Sequence, residues 1–237
     1  MPSDGGSSTE GASIVQYDEA GNHVATIIDD GELNSGITWE AHAKIEKFSP
    51  DQTARAAELH GIAEEDLLHT HLYALGEEPE HGVVEVPGNL LTTAGLQRIT
   101  NLIIGSGAAA FTSTQSVIGV GDRGGTASNT AAITDTDLTA AASTSNRYLQ
   151  ATDSAPTAVN GVLTAISTFA TGNANFAWNE WCWVISTGTI TPGGVAIDST
   201  HPGSTGNQIL NHKTPASSLG TKASGATWVF TTTVTLS

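Results

Sequence analysis

The sequence predicts a mainly β protein. An antiparallel β-sandwich of jelly-roll type, with a preceding helix, is expected over residues 88–237, and a small mixed α/β segment over residues 1–87. Three observations carry this. Beyond residue 105, short Thr/Val/Ile-rich runs alternate with clusters of Gly, Asn, Ser and Asp, as strands and turns alternate in a sandwich or barrel. Before them, Leu90, Leu91, Leu96, Ile99, Leu102, Ile103 and Ile104 fall at the spacing of one amphipathic helix, with Gly105 placed to end it. Charge divides the chain at the same place: residues 1–87 hold eighteen of the 24 acids and three of the eight Lys and Arg, a net of −15 against −1 for the remainder.

Taken in order, Met1–Ala12 is Gly/Ser-rich and acidic, a composition that stays disordered on its own. In Ser13–Ile28, two β-prone runs flank the turn residues Asp18–Asn22, which predicts a hairpin. Asp29–Gly36 reads as an acidic loop. Ser49-Pro50-Asp51-Gln52 is a helix start, with Ser as cap, Pro at the first position and Gln three residues after the cap. Gly61 interrupts that helix, and Glu64–Leu75 predicts a second one carrying Leu67, Leu68, Leu72 and Leu75. Gly76–Pro87, with two prolines, reads as another acidic loop. Strands are expected at Gln115–Val120, Tyr148–Thr152, Gly161–Phe169, Trp178–Thr187, Gly194–Ile197, Gln208–Lys213 and Trp228–Leu236, the last alternating as a half-buried strand does.

Composition restricts function. Only 14% of residues are charged, and the net charge of −16 opposes binding to nucleic acid or to an anionic membrane surface. Two explanations of the low charge stay open: protein contacts that cover the surface, or hydroxyl groups that solvate it. The single cysteine, Cys182, allows no intrachain disulfide and reads as a buried thiol. Residues 1–11 lack the apolar core of a secretory leader, and the apolar run near Leu102–Phe111 is too short and Gly-broken to span a bilayer. A protein made in the cytoplasm is therefore expected.

Chemical motifs are sparse. Gly105-Ser-Gly-Ala-Ala-Ala110 fits G-x-G-x-x-A, but a helix precedes it and a strand-like run follows, the reverse of a dinucleotide site. Gly119–Gly125 lacks the G-K-[ST] of a phosphate loop and reads as a turn leaving a strand. Of the eight histidines, six lie in residues 1–87, and His69 and His71 would share a face on a strand but not on a helix. No H-E-x-x-H accompanies them. Asp135-Thr-Asp137 offers carboxylates without the remaining oxygen ligands of a calcium loop. No cofactor or metal is expected. Paired carboxylates for glycan hydrolysis are conceivable in any acidic chain, and after residue 87 the one Glu to consider as acid or base is Glu180. Phe176, Trp178, Trp181 and Trp183 form the most distinctive cluster. Core filling, a subunit interface and a sugar-stacking platform all suit it, because aromatic rings bury large area at small entropy cost.

An ordered series of segments adds a resemblance. It runs through Gly95-Leu-Gln-Arg-Ile-Thr-Asn-Leu-Ile-Ile-Gly105, Ile118-Gly-Val-Gly-Asp122, Thr134-Asp-Thr-Asp-Leu138 and Asn146-Arg147. It continues through Phe169–Trp181, Leu210-Asn-His-Lys213 and Gly220–Trp228, before a Thr-rich last strand. Residues 88–237 thereby resemble a group of tailed-bacteriophage virion structural proteins. His212 stands where the group suggests Arg, and Trp181-Cys-Trp183 replaces a Gly-containing stretch. The resemblance implies a non-enzymatic virion component that forms a homo-oligomer, by analogy a trimer. Its implied partners are the major capsid protein or tail proteins, with residues 1–87 as an anchoring module. Exterior capsid decoration or a head-attached fibre is the first expectation. A tail, baseplate or fibre protein contacting host glycan through the tryptophans is the alternative.

Overall fold

In the computed structural model, the described residues are 14–17, 23–26, 39–105, 111–112, 115–125, 130–185, 192–194 and 208–236. The expected acidic start and acidic loop, and most of the expected Gly194–Ile197 strand and of the Gly105–Ala110 motif, lie outside them. The hairpin forms as β1 (Ile14–Tyr17) paired with β2 (His23–Thr26), in the register Ile14↔Thr26.

Two five-stranded antiparallel sheets follow. The first contains β3 (Trp39–Phe48), β4 (Val83–Pro87), β8 (Thr157–Val159), β9 (Val162–Phe169) and β14 (Thr227–Leu236), in the order β4-β3-β14-β9-β8. The second contains β5 (Leu90–Leu91), β6 (Ser116–Gly121), β7 (Arg147–Ala151), β11 (Glu180–Ile185) and β12 (Gln208–Lys213), in the order β5-β12-β11-β6-β7. A short pair, β10 (Ala177–Trp178) with β13 (Gly220–Thr221), lies beside them.

The core lies between the sheets. Trp39, Ala41, Ala43 and Ile45 alternate inward from β3, and Trp228, Phe230 and Val234 from β14. They meet Ile118 and Val120 of β6, Trp181, Trp183 and Ile185 of β11 and Leu210 of β12. The fold is thus mainly β, with two antiparallel sheets sharing one core.

The first sheet crosses the boundary expected after residue 87. β3 and β4 come from the acidic side of it, and β14 pairs along the full length of β3, from Thr227↔Phe48 to Leu236↔Trp39. Residues 39–87 therefore complete the sandwich. The alternation that makes β3 is plain in Trp39-Glu-Ala-His-Ala-Lys-Ile45, and β4 alternates between half-buried Val84 and buried Val86 inward and exposed Val83 and Glu85 outward. Pro87 is tolerated because β4 is an edge strand.

Helix α1 (Pro50–His60) begins with the expected capping box, in which Gln52 N donates to Ser49 Oγ at 3.2 Å and Ser49 N to Gln52 Oε1 at 3.2 Å. Gly61 ends it in the left-handed conformation. The expected second helix is shorter. A 3₁₀ turn at Glu64–Asp66 gives way to extended Leu67 and Leu68, and α2 covers only His69–Tyr73. That break turns Leu67 and Leu72 together into a core with Phe48, Ala56, Ala57 and Val229, which covers part of the outer face of the first sheet.

Helix α3 spans Thr93–Ile103. It begins later than its apolar spacing suggests because Leu90 and Leu91 pair with His212 and Asn211 as β5. Thr92 caps it by accepting from Gly95 N at 2.9 Å. Gly95 sits directly on β12, where a Cβ would lie 2.2 Å from the Leu210 carbonyl oxygen. No helix among the described residues is long and apolar enough to cross a membrane.

Candidate functional site

The tryptophans occupy the shared core. Trp178, Trp181 and Trp183 are 0% exposed and Phe176 is buried beside them. Trp178 meets Phe169 and Trp228 edge-on at 4.8 Å each, and Trp181 lies 5.1 Å from Phe230. Trp178 Nε1 donates to the Ala174 carbonyl at 3.0 Å and Trp183 Nε1 to Ser116 Oγ at 2.8 Å. Of the three roles expected for Phe176, Trp178, Trp181 and Trp183, the placement of all four is that of core filling within one chain. The reason is local. Asn179 separates β10 from β11, so the two-residue alternation restarts, and residues of even and odd number reach the same interior.

Across β11 from the tryptophans, on the outer face of the second sheet, lies a cluster of charges. Glu180 and Cys182 project there from β11, and His212 is opposite Cys182 on β12. Residues 130–146 pass over this face and add Asp135, Asp137, Leu138 and Ala140. His212 Nδ1 donates to Asp135 Oδ2 at 2.6 Å and Nε2 to Glu180 Oε2 at 3.1 Å. Glu180 also accepts from Thr139 N at 3.0 Å and Ala140 N at 2.7 Å. Arg147 pairs with Asp137 and donates from Nε to the Ala140 carbonyl at 2.8 Å.

This packing explains the Gly-Val-Gly spacing. Gly119 and Gly121 lie within β6, and a Cβ on Gly121 would stand 2.5 Å from Glu180 Oε1. The turn leaving the strand starts only at Asp122, whose carboxylate accepts from Asn146 Nδ2 at 2.6 Å.

Electrostatically the centre is an imidazolium held between two carboxylates. Burial alone would lower His212, but hydrogen bonds to Asp135 and Glu180 outweigh it and raise its pKa above the ordinary value. Burial would raise Glu180, yet the donors His212, Ala140 N and Thr139 N hold it below its usual value. Asp135 is likewise lowered, with His212 and Ala132 N overcoming burial. The Cys182 thiol is pushed well up by burial and by the nearby Glu180 carboxylate. With both ring nitrogens committed to carboxylates, His212 presents no lone pair to act as a general base. Glu180 is fully enclosed and accepts three hydrogen bonds, so the acid or base position considered for it is closed to a sugar in this structure.

Of the amino-terminal histidines, His60 and His71 meet ring to ring at 4.7 Å. His69 and His71 lie on α2 and so do not share a face. His69 Nδ1 is 2.6 Å from Asp153 Oδ2, and His71 Nδ1 accepts from Leu68 N at 3.0 Å. Among the described residues, no three His, Cys, Asp or Glu side chains are placed to hold a metal ion.

Sequence reasoning weighed the Asp135–Asp137 pair apart from Glu180 and joined neither to Arg147, 10 residues after Asp137, nor to His212, 77 residues after Asp135. The available signal was scarcity. Residues 88–237 contain few charges, and in such a region each charge near the core needs a partner. Lys222 follows the same logic: fully buried, it donates to the Ala170 carbonyl at 2.8 Å and to Asn175 Oδ1 at 2.9 Å.

Two surface features remain. A groove of about 300 Å³ runs between β4, through Val84, Val86 and Pro87, and the end of β12 with the segment after it, through Lys213, Pro215 and Leu219. Helix α3 leaves Leu96, Ile103 and Ile104 exposed. Comparison with protein-family models, with curated proteins and with solved structures finds no match to this chain.

Proposed function

We propose that the chain is a non-enzymatic structural protein of a tailed-phage particle. In this reading it is an exterior capsid-decoration or head-attached fibre protein that assembles with copies of itself and binds capsid subunits through its acidic amino-terminal segment. One observation carries the reading: the segments on which the resemblance rests contact one another. Gly95 abuts Leu210, Asp122 accepts from Asn146, Asp135 pairs with His212, Asp137 with Arg147, Trp178 packs on Trp228, and Lys222 donates to Asn175. The residues of that series thus hold the sandwich together, which suits a protein whose product is its own shape. Residues 1–38 carry seven acids and no Lys or Arg, so an anchor there calls for a basic patch on the partner.

Co-sedimentation of the purified full chain with empty heads and with isolated tails tests the reading. Deleting residues 1–38, which leaves β3 and its sheet in place, adds the second arm. Head binding that requires residues 1–38 supports a decorating protein anchored at that end. Binding to tails alone moves the protein to the tail, and binding to neither refutes the virion assignment.

A further inference from the structure

We propose that the outer face of α3 is a self-association surface, on which a second copy of the chain packs its own α3. This deepens the self-assembly part of the reading above and rests on it. The inner side of α3 is fixed: Gly95 and Arg98 are buried and Ile99 is half-buried against the core. The outer side is apolar and open, with Leu96 51%, Ile103 76% and Ile104 73% exposed. Ile133 extends the patch, since Thr93 N donates to its carbonyl at 2.8 Å and so brings that exposed side chain beside the start of the helix. Leu96 and Ile103 stand two helical turns apart on one exposed stripe, with exposed Thr100 between them, while Ile99 faces the core.

Charge selects the occupant. The exposed residues of α3 are Thr93, Leu96, Gln97, Thr100 and Ile103, none of which ionises, whereas α1 exposes Asp51, Arg55 and Glu58. Copies that each carry −16 repel across acidic surfaces and approach at least cost where both faces are neutral. A basic protein partner finds no carboxylate on α3 to pair with, and an anionic lipid surface repels a chain of this charge. A second copy brings a matching apolar stripe and no like charge. The same face met by itself generates a closed symmetric assembly.

Sedimentation velocity of the full chain against protein concentration, at about 0.1 and about 0.5 M salt, tests the proposal. A concentration-dependent oligomer that strengthens with salt is expected. In Leu96→Glu and Ile103→Glu, self-association should weaken at least about tenfold, the loss of roughly 1.4 kcal/mol of contact. Because both side chains are exposed, the thermal midpoint should hold. Cys182 is fully buried and is the chain's one cysteine, so Ile103→Cys introduces the one accessible thiol. Mild oxidation of that variant should give a disulfide-linked dimer, while a cysteine at exposed Ser154, on the loop before β8, should not. An oligomer unchanged by either Glu variant, or absence of the Ile103→Cys cross-link, overturns the surface but leaves self-assembly standing. A wild-type monomer under every condition overturns the surface together with self-assembly, and particle co-sedimentation then decides the virion reading separately.

Discussion

Replacing Glu180 by Gln changes one oxygen for an NH₂ group and little of the shape. Its consequence follows from the three donors that converge on this carboxylate: Thr139 N, Ala140 N and His212 Nε2. Whichever way the amide turns, its NH₂ faces a buried N–H, and His212 loses one of its two counter-charges. Removing one member of a buried ion pair costs about 3–5 kcal/mol, which already includes the orphaned donor. Against a total stability of about 5–15 kcal/mol this is a large fraction. With a urea slope near 3 kcal/mol per M, the unfolding midpoint should fall by about 1–2 M.

Tryptophan fluorescence is the natural probe, since Trp181 and Trp183 flank Cys182 on the same strand and are fully buried. The pH dependence has a definite sign. Glu180 and Asp135 are depressed below their ordinary values of 4.5 and 3.8, so their contribution is present above that range and is lost as pH falls through the depressed values. His212 is raised above 6.5, so its contribution is present below that value and is lost as pH rises through the raised one. The difference between wild type and Glu180→Gln should therefore be largest between about pH 5 and 6.5 and shrink on both sides. A midpoint shift below about 0.3 M at pH 6, or a shift independent of pH, refutes the charged clamp.

Three further outcomes are expected. Trp178→Ala should destabilise by about 3–5 kcal/mol and abolish the near-ultraviolet dichroism of the core, whereas an intact fold would return the ring to a surface role. Gly95→Ala drives a Cβ into the Leu210 carbonyl and should cost about 2–3 kcal/mol, lowering the thermal midpoint by roughly 5–10 °C, and an unchanged melt would mean that α3 does not sit on β12 as described. Burial lowers Lys222 to about 7, so the folded chain binds fewer protons than the unfolded one from there up to 10.5, and this group makes the wild type more stable as pH rises across that interval. In Lys222→Met the excess stability relative to wild type should fall steadily from pH 7 to 10, and a flat difference would show that the amine is solvated.

Local rules carried much of the fold. Ser49 and Gln52 specify the start of α1 within four residues and Gly61 its end, and the structure follows both. The strands at β6, β7, β9, β12 and β14 lie within about two residues of their expected bounds, as alternation and turn residues allow. Strand β3 was not expected, although Trp39, Ala41, Ala43 and Ile45 alternate with Glu40, His42 and Lys44 as a half-buried strand does. β4 hid among prolines and acids, because an edge strand needs only one buried face. The site was hardly legible. Its members come from three distant stretches, around Asp135, Glu180 and His212, and only the pairing of β11 with β12 and the path of residues 130–146 unite them. The shared interior of Trp178, Trp181 and Trp183 was hidden for a different reason: Asn179 separates β10 from β11, so the strand alternation restarts between them.

The position of β14 has a consequence for synthesis. It lies in the middle of the first sheet, hydrogen-bonded to β3 on one side and β9 on the other, yet it follows both in the chain. About 180 residues separate the end of β3 from the start of β14, which at the pace of a ribosome is roughly 10–40 s. Through that interval the edge of β3 opposite β4 has no partner, and Trp39 and Ile45 wait for Leu236 and Phe230. Nascent chains interrupted before residue 227 therefore present one unpaired edge on β3 and one on β9, although β4 and β8 can still pair with their other edges. They are the species on which a chaperone would act, or from which inclusion bodies would grow.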